Sequence, residues 1–143
     1  RVRYATSLGD PTIYSTYIYI QRLVKSQGFP ACIINGVPSF CAAAAKMGDS
    51  LADRSEQIHI IPSNYDIEEA MEYPGTKILM KAASHLSEVR RLLQEKNQPG
   101  FMIENCGLPD EHIYSGTEEM PEEAGYYTIV LVKDEERGLR EGT

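Results

Sequence analysis

The sequence lacks several features that mark specialised classes of protein. No apolar run approaches the ~18 residues of a membrane span, and no charged-then-apolar stretch of a secretory leader is present. Basic residues are few, with 14 Lys and Arg against 21 Asp and Glu and a net charge of −7. Binding to a nucleic-acid backbone needs a basic surface. We therefore expect a cytoplasmic protein that binds neither a membrane nor a nucleic acid.

The cysteines and histidines offer no metal-ligand spacing. Cys32, Cys41 and Cys106 are odd in number, form no CxxC pair and lie in apolar contexts, which is typical of buried free thiols in a reducing compartment. His59, His85 and His112 have no partner at ligand spacing either. The sequence therefore predicts no metal site.

The common signatures of nucleotide binding and serine hydrolysis are also missing. The chain contains no GxGxxG, no P-loop and no GxSxG elbow. Its 143 residues are 42% hydrophobic and 24% charged, and a chain of this size buries roughly 68% of its unfolded surface on folding. A hydrophobic core without disulfide or metal support is therefore expected.

Short apolar runs alternate with amphipathic segments along the chain. Helices are predicted over 13–27, 40–47, 66–72 and 84–96, with Ser39 as the N-cap of the second. Strands are predicted over 2–8, 31–35, 57–61, 76–81, 101–105 and 126–133. Such alternation predicts an α/β fold.

Turns that begin at Gly9, Gly36 and Asn105 follow three of the predicted strands. Ligands of open α/β sheets bind outside the carboxyl ends of strands, and glycine lets a ligand approach the backbone closely. Each turn taken alone is equally typical of an ordinary connection between a strand and a helix. Tyr14, one turn into the predicted first helix, is the best candidate for a ring that faces a cleft.

Taken in order, four segments resemble the tetrapyrrole methylases of corrin biosynthesis. They are LGDPTIYST at 8–16, INGVPSFCAAAA at 34–45, ILMK at 78–81 and IENCGLPDEHIY at 103–114. The resemblance extends over residues 4–133. The Tyr-Ser-Thr, Pro-Ser-Phe-Cys-Ala and Leu-Met-Lys elements are most similar to the branch that methylates C20 of precorrin-2 or of cobalt-factor II.

The resemblance implies an S-adenosylmethionine-dependent methyltransferase with a tetrapyrrole substrate, two α/β domains and a homodimeric assembly. Residues 1–38 then match the last part of the first domain, and 39–143 match a complete second domain with a mixed sheet. The family places its cofactor in the cleft between the domains. Carried onto this sequence, the cofactor-binding residues are Leu8, Gly9, Asp10, Ile13, Pro38, Ser39, Met80, Cys106 and Thr128. Tyr14 and Ser15 face the tetrapyrrole, and no catalytic base is assigned.

The first strand and glycine-rich loop of the family have no counterpart in this sequence. Part of the tetrapyrrole trough is therefore missing, and we expect little turnover from this chain alone and an exposed sheet edge at its opening strand. Two other functions stay open. One is methylation at another ring position, and the other is a non-catalytic ligand-binding or assembly module.

Overall fold

The computed structural model describes residues 3–62 and 64–134. Its helices are α1 (Tyr17–Ser26), α2 (Ser39–Met47), α3 (Ile67–Ala70) and α4 (Leu86–Glu95). Its strands are β1 (Ile58–Ile61), β2 (Thr76–Met80), β3 (Gly100–Glu104), β4 (His112–Tyr114) and β5 (Thr128–Val132). Short 3₁₀ turns occupy Ala82–His85 and Thr117–Glu119. None of the helices in the described ranges has the length and apolarity needed to cross a membrane.

The chain divides into two compact units, Arg1–Ala42 and Ala43–Thr143. The predicted boundary lay between residues 38 and 39, just ahead of α2. Val2 of the predicted first strand, and residues 135–143 of the predicted second domain, lie outside the described residues. The match of each unit to one domain of the family stays a prediction.

A mixed five-stranded sheet forms the second unit, with strand order β1-β2-β5-β3-β4. β1 and β2 pair in parallel, and the other neighbours are antiparallel. The predicted α/β class is therefore confirmed. Because β2 and β3 both run opposite to β5, they are parallel to each other, and their carboxyl ends lie at the same edge of the sheet. We call this edge the site edge.

One face of the sheet is covered by α4. Leu86, Val89, Leu92 and Leu93 recur at helical spacing and are buried against Leu79, Met102, Val130 and Val132 of the strands. Burying each such side chain contributes about 1.5–3 kcal/mol. The chain passes from β2 through the 3₁₀ turn into α4 and then into β3, so α4 leads away from the site edge.

The carboxyl end of α2 and the segment that follows it are anchored to the rest of the second unit by polar contacts. Lys46 pairs with Glu111 at 3.1 Å, Thr76 Oγ1 donates to the Leu51 carbonyl at 2.5 Å, and Lys133 Nζ pairs with Asp49 at 2.5 Å.

The second face of the sheet is also buried. Ile78, Ile103 and Leu131, on the sheet face opposite α4, are almost completely buried. The apolar runs of the strands thus reflect burial on both faces.

A charged side chain lies within this core. Lys77 of β2 has a side chain only 1% exposed, and its Nζ pairs with Asp134 Oδ1 at 2.9 Å. The second oxygen of Asp134 accepts from the Gly75 N–H at 2.6 Å. Buried ammonium groups are tolerated only when paired, so Asp134 holds the amino end of β2.

The first unit differs most from the sequence predictions. Residues 3–8 and 31–35 were predicted as strands, but they are irregular, and Cys32 and Ile34 are exposed. All strands of the described chain lie in the second unit, so these apolar runs have no neighbour with which to form a ladder. The expected sheet edge at the opening strand is therefore also wrong. Gly28, with φ of +82°, ends α1 as predicted.

Two smaller predictions of secondary structure also need correction. The predicted helix over 84–96 is a 3₁₀ turn followed by α4, and β4 at His112–Tyr114 was not predicted. β4 is only three residues long and mostly exposed, so it lacks the apolar run that marks the other strands.

Cys41 was expected to be buried but is exposed, because it lies off the buried stripe of α2.

Candidate functional site

In the first unit the two glycine turns touch through their backbones. A Cβ atom built on Gly36 would lie 2.1 Å from the carbonyl oxygen of Gly9. A Cβ on Gly9, whose φ is +73°, would lie 3.7 Å from the Val37 oxygen and 3.8 Å from the Ser39 nitrogen. No side chain therefore separates these turns, and their backbone N–H and C=O groups are accessible to a ligand at close range.

The Asp10 carboxylate fastens the two turns together. It accepts from the Thr12 N–H at 2.8 Å, from the Thr12 hydroxyl at 2.5 Å and from Asn35 Nδ2 at 3.3 Å. Hydrogen bonds from the Thr12 hydroxyl and N–H, with a smaller one from Asn35, hold the pKa of Asp10 below its usual range. Asp10 is only 9% exposed, so its side chain shapes the turn rather than reaching into solvent.

Predicted substrate residues lie just before α1. Tyr14 was expected inside the helix, but α1 begins only at Tyr17, because the Asp10–Thr12 turn and the positive φ of Tyr14 (+50°) interrupt the helical path. Ser15 Oγ accepts from the Tyr17 N–H at 3.2 Å, which occupies its oxygen at the helix start. Tyr14 and Leu8 are exposed, and the Ile13 N–H donates to the Asp10 carbonyl at 3.3 Å.

The start of α2 corrects another expectation. Ser39 was predicted as the N-cap, but it is the first helical residue. The carbonyl of Pro38 accepts from the N–H groups of Cys41 at 3.0 Å and Ala42 at 3.1 Å. Pro38 therefore occupies the cap position through its backbone oxygen. Since Pro38 and Ser39 border the contact with Gly9, the amino end of α2 lies beside the glycine turns.

In the second unit, three predicted cofactor residues lie along the site edge. Met80 ends β2 and pairs with Ile129 of β5, Thr128 opens β5 opposite Glu104, and Cys106 follows the end of β3. The Asn105 N–H extends the β3–β5 ladder by donating to the Tyr127 carbonyl at 2.9 Å. The sheet thus brings residues far apart in sequence to one edge.

The Cys106 thiol is uncharged at neutral pH. Burial raises its pKa, the nearby Glu111 carboxylate raises it further, and Lys46 acts in the opposite direction. A thiol is nucleophilic only as the thiolate. Glu111 itself is held by the Gly107 N–H at 2.6 Å and by Lys46 at 3.1 Å. Cys106 therefore offers a small neutral surface rather than a nucleophile.

Thr128 has a structural role in this arrangement. It is completely buried, and its hydroxyl donates to the Gly125 carbonyl at 2.6 Å. The Gly125 N–H in turn donates to Glu104 Oε1 at 2.6 Å, and Tyr114 donates to Glu104 Oε2 at 3.2 Å. These bonds fix residues 125–128 over the end of β3. Contact between Thr128 and a cofactor stays a prediction.

Sequence reasoning assigned no site role to three side chains at the site edge, Lys81, Tyr126 and Tyr127. Lys81 and Asn105, which directly follow β2 and β3, both adopt left-handed backbone conformations, with φ of +55° and +51°. The Lys81 Nζ lies 5.1 Å from the centroid of the Tyr126 ring, which packs edge-on against Tyr127 at 5.2 Å. The Leu-Met-Lys element was the only sequence signal, and no local pattern links it to Tyr126.

The structure is an α/β fold in which the predicted site residues lie at the two glycine turns of the first unit and along the site edge of the second. The sequence model of the Tetrapyrrole (Corrin/Porphyrin) Methylases matches residues 1–121. The chain belongs to this family.

Two curated relatives share recognisable sequence with it. One is the "Probable cobalt-precorrin-2 C(20)-methyltransferase" of Methanocaldococcus jannaschii, 33% identical over 113 residues, covering 77% of this chain and 48% of the relative. Another is the "Precorrin-4 C(11)-methyltransferase" of Rhodococcus erythropolis, 25% identical over 123 residues, covering 76% of this chain and 49% of the relative. The chain thus spans about half the length of the curated relatives it matches.

Solved structures show the same fold at lower identity. A cobalt precorrin-4 methyltransferase, CbiF, has a TM-score of 0.70 at 18% identity, covering 87% of this chain and 61% of that one. The uroporphyrin-III C-methyltransferase of Thermus thermophilus, in complex with S-adenosylhomocysteine, has a TM-score of 0.65 at 16% identity, covering 92% and 65%. At these identities the likeness establishes the fold.

Proposed function

We propose that the protein containing this chain transfers a methyl group from S-adenosylmethionine to C20 of precorrin-2 or cobalt-factor II in cobalamin biosynthesis. The observation that carries the C20 assignment is the 33% identity to the Methanocaldococcus jannaschii relative. The Leu-Met-Lys end of β2 and the Tyr-Ser-Thr before α1 support the same branch.

The cofactor contacts we propose are largely backbone contacts. Leu8, Gly9 and Ile13 supply one turn, with Asp10 fastening it, and Pro38 and Ser39 supply the other. The close backbone contact of the two turns, where a Cβ atom on Gly36 would clash with Gly9, supports this assignment. Met80 and Cys106 at the site edge add uncharged surfaces, and Thr128 fixes the adjoining loop. Tyr14 and Ser15 are the proposed contacts to the tetrapyrrole.

The chemistry needs positioning more than it needs a reactive side chain. S-adenosylmethionine supplies an activated methyl group and a neutral thioether leaving group. The residues of this chain therefore have to orient the two reactants and keep their reacting atoms aligned, and such alignment supplies roughly 7–11 kcal/mol of barrier reduction in favourable cases. The uncharged Cys106 fits this role, because a thiolate beside an electrophilic methyl would be alkylated itself.

Incubation of the full-length gene product with methyl-labelled cofactor and precorrin-2, followed by NMR location of the methyl, tests the proposal. Label at C20 supports it. Label at another ring carbon would move the protein to a different branch of the same family, for which the 25% identity to the C11 enzyme is the present support. Failure to bind S-adenosylhomocysteine in calorimetry would reject the methyltransferase proposal altogether.

The second candidate function is a non-catalytic ligand-binding or assembly module. Many large apolar side chains of the first unit are exposed, among them Tyr4, Tyr19, Leu23, Phe29 and Ile34, and this favours a surface made to be covered. A methyl-transfer assay separates the two functions, since a module would bind the cofactor product or a partner without turnover.

A further inference from the structure

Lys81 is held in a conformation that its own side chain disfavours. Its φ of +55° lies in the left-handed region, which residues with a Cβ rarely occupy. The residue immediately follows Met80 at the end of β2, and its ammonium lies 5.1 Å from the centre of the Tyr126 ring. The backbone turn therefore directs a positive charge toward an aromatic surface at the site edge.

Two exposed aromatic residues lie on a backbone segment that hydrogen bonds hold in place. Tyr126 is 62% and Tyr127 55% exposed, although aromatic side chains of this size are usually more buried. Gly125, just before them, is held by Glu104 at 2.6 Å and by Thr128 at 2.6 Å, and the Tyr127 carbonyl is held by Asn105. Because the two rings meet edge-on at 76°, a flat conjugated ligand can stack on the face of one ring while the edge of the other borders it.

Charge at the site edge is distributed unevenly. Three carboxylates at and after the end of β3 are already engaged, Glu104 by Gly125 and Tyr114, Asp110 by Asn105 at 2.9 Å, and Glu111 by Gly107 and Lys46. Within residues 3–62 and 64–134, no carboxylate pairs with Lys81. Among the described residues the ammonium contacts an aromatic ring and no carboxylate, in a chain whose net charge of −7 repels anions.

From these observations we propose that Lys81, Tyr126 and Tyr127 form a substrate-binding platform for the carboxylated rim of the tetrapyrrole. A peripheral carboxylate of the substrate pairs with the Lys81 ammonium, and the adjacent conjugated ring packs on the face of one tyrosine and against the edge of the other. This inference rests on the proposed function and extends it to the side chains that recognise the substrate. It makes Lys81 a determinant of substrate affinity, separate from the residues proposed to hold the cofactor.

Lys81→Gly in the full-length gene product is the sharpest variant. Glycine accepts the left-handed backbone without strain, so the fold is retained while the charge is removed. We expect the Kd of precorrin-2, measured anaerobically by equilibrium dialysis, to rise about three- to tenfold, as loss of one charge-assisted contact would give. Lys81→Arg keeps the charge and should stay within about twofold of wild type.

Two further measurements make the result specific. S-adenosylhomocysteine affinity by calorimetry should be unchanged in Lys81→Gly, and KM for precorrin-2 should rise more than kcat falls. Arg91→Gln removes the same charge from an exposed position of α4, where Arg91 pairs with Glu95, and should leave precorrin-2 affinity within about twofold.

The outcomes separate this inference from the proposed function. If the wild-type protein binds S-adenosylhomocysteine and precorrin-2 but Lys81→Gly binds precorrin-2 equally well, the platform is wrong and the proposed function stands. If the wild-type protein binds neither ligand, the proposed function fails, and this inference fails with it. An equal loss of precorrin-2 affinity in Lys81→Gly and Arg91→Gln would show that only the overall charge matters, and the proposed platform would be wrong.

Discussion

The Cα of Gly36 faces the carbonyl oxygen of Gly9 so closely that an added Cβ would lie 2.1 Å from that oxygen. Gly36→Ala must therefore push the two turns apart, at a cost of about 1–3 kcal/mol as in other overpacked sites. We expect weaker binding of S-adenosylhomocysteine by at least about tenfold, because the proposed contacts are backbone atoms of these turns. Calorimetry and thermal unfolding of the full-length gene product measure both effects.

Gly28→Ala is the matched control for that variant. Gly28 has φ of +82° and open space where a Cβ would stand, so alanine there costs about 1 kcal/mol through the backbone alone. Ligand affinity should not change. Equal affinities in wild type and Gly36→Ala would remove the glycine turns from the proposed binding site.

Cys106 gives a prediction that separates a surface from a nucleophile. Burial and Glu111 raise the pKa of its thiol. We therefore expect Cys106→Ala to keep the rate of methyl transfer within about threefold of wild type, a much smaller change than the loss of a catalytic nucleophile would cause. Cys106→Phe should weaken binding of S-adenosylhomocysteine strongly, because a bulky ring replaces the small neutral surface proposed to contact the cofactor. A loss of several orders of magnitude in Cys106→Ala would show a chemical role for the thiol.

The buried pair of Lys77 and Asp134 predicts an asymmetric response to mutation. Asp134→Ala leaves the Lys77 ammonium buried without its partner, and we expect a loss of about 1–2 kcal/mol in the free energy of unfolding. This is less than a fully buried pair would lose, because the Asp134 side chain is 47% exposed. Lys77→Met removes the buried ammonium itself and should leave the free energy of unfolding nearly unchanged. Urea unfolding measures both, and a larger loss in Lys77→Met would contradict the argument.

The same pair predicts how stability depends on pH. Burial by itself raises the pKa of Asp134, but hydrogen bonds from Lys77 and Gly75 outweigh it and leave the pKa below the usual 3.8. The carboxylate therefore contributes its full stability at any pH above the pKa that Asp134 has in the unfolded chain. This contribution is lost as the pH falls through the lower pKa of the folded protein. The difference in stability between wild type and Asp134→Asn should be constant near neutral pH and shrink only below about pH 4.

Sequence reasoning was most successful in the second unit. β1, β2, β3, β5 and α4 were all predicted within a few residues, because each combines an apolar run or stripe with a clear turn residue at its end. The turn after β3 was predicted as a ligand-binding position from its place at a strand end, and Met80 at the end of β2 from the family resemblance; both assignments stay predictions. The pairing of Lys81 with Tyr126 was not, since it depends on strand order and on a left-handed turn that no local pattern encodes.

The first unit shows where such reasoning fails. Residues 31–35 have the composition of a buried strand, yet Ile34 is 78% exposed, because composition indicates what a segment can pair with and not whether a neighbour is present. The motif order was informative there in another way. It linked the Gly9 and Gly36 turns to one family, and their backbones do lie in contact.

The exposed apolar side chains of α1 predict self-association. Leu23 is 62% exposed and Ile20 52%, and the sequence resemblance implies a homodimer. Burial of one such side chain in an interface contributes about 1.5–3 kcal/mol, so Leu23→Glu should raise the dissociation constant of the assembly roughly ten- to a hundredfold. Lys25→Glu, at another exposed position of α1, should leave it within a few-fold. Light scattering after size exclusion across a range of concentrations measures this, and a wild-type protein that stays monomeric at every concentration would show that a different surface covers α1.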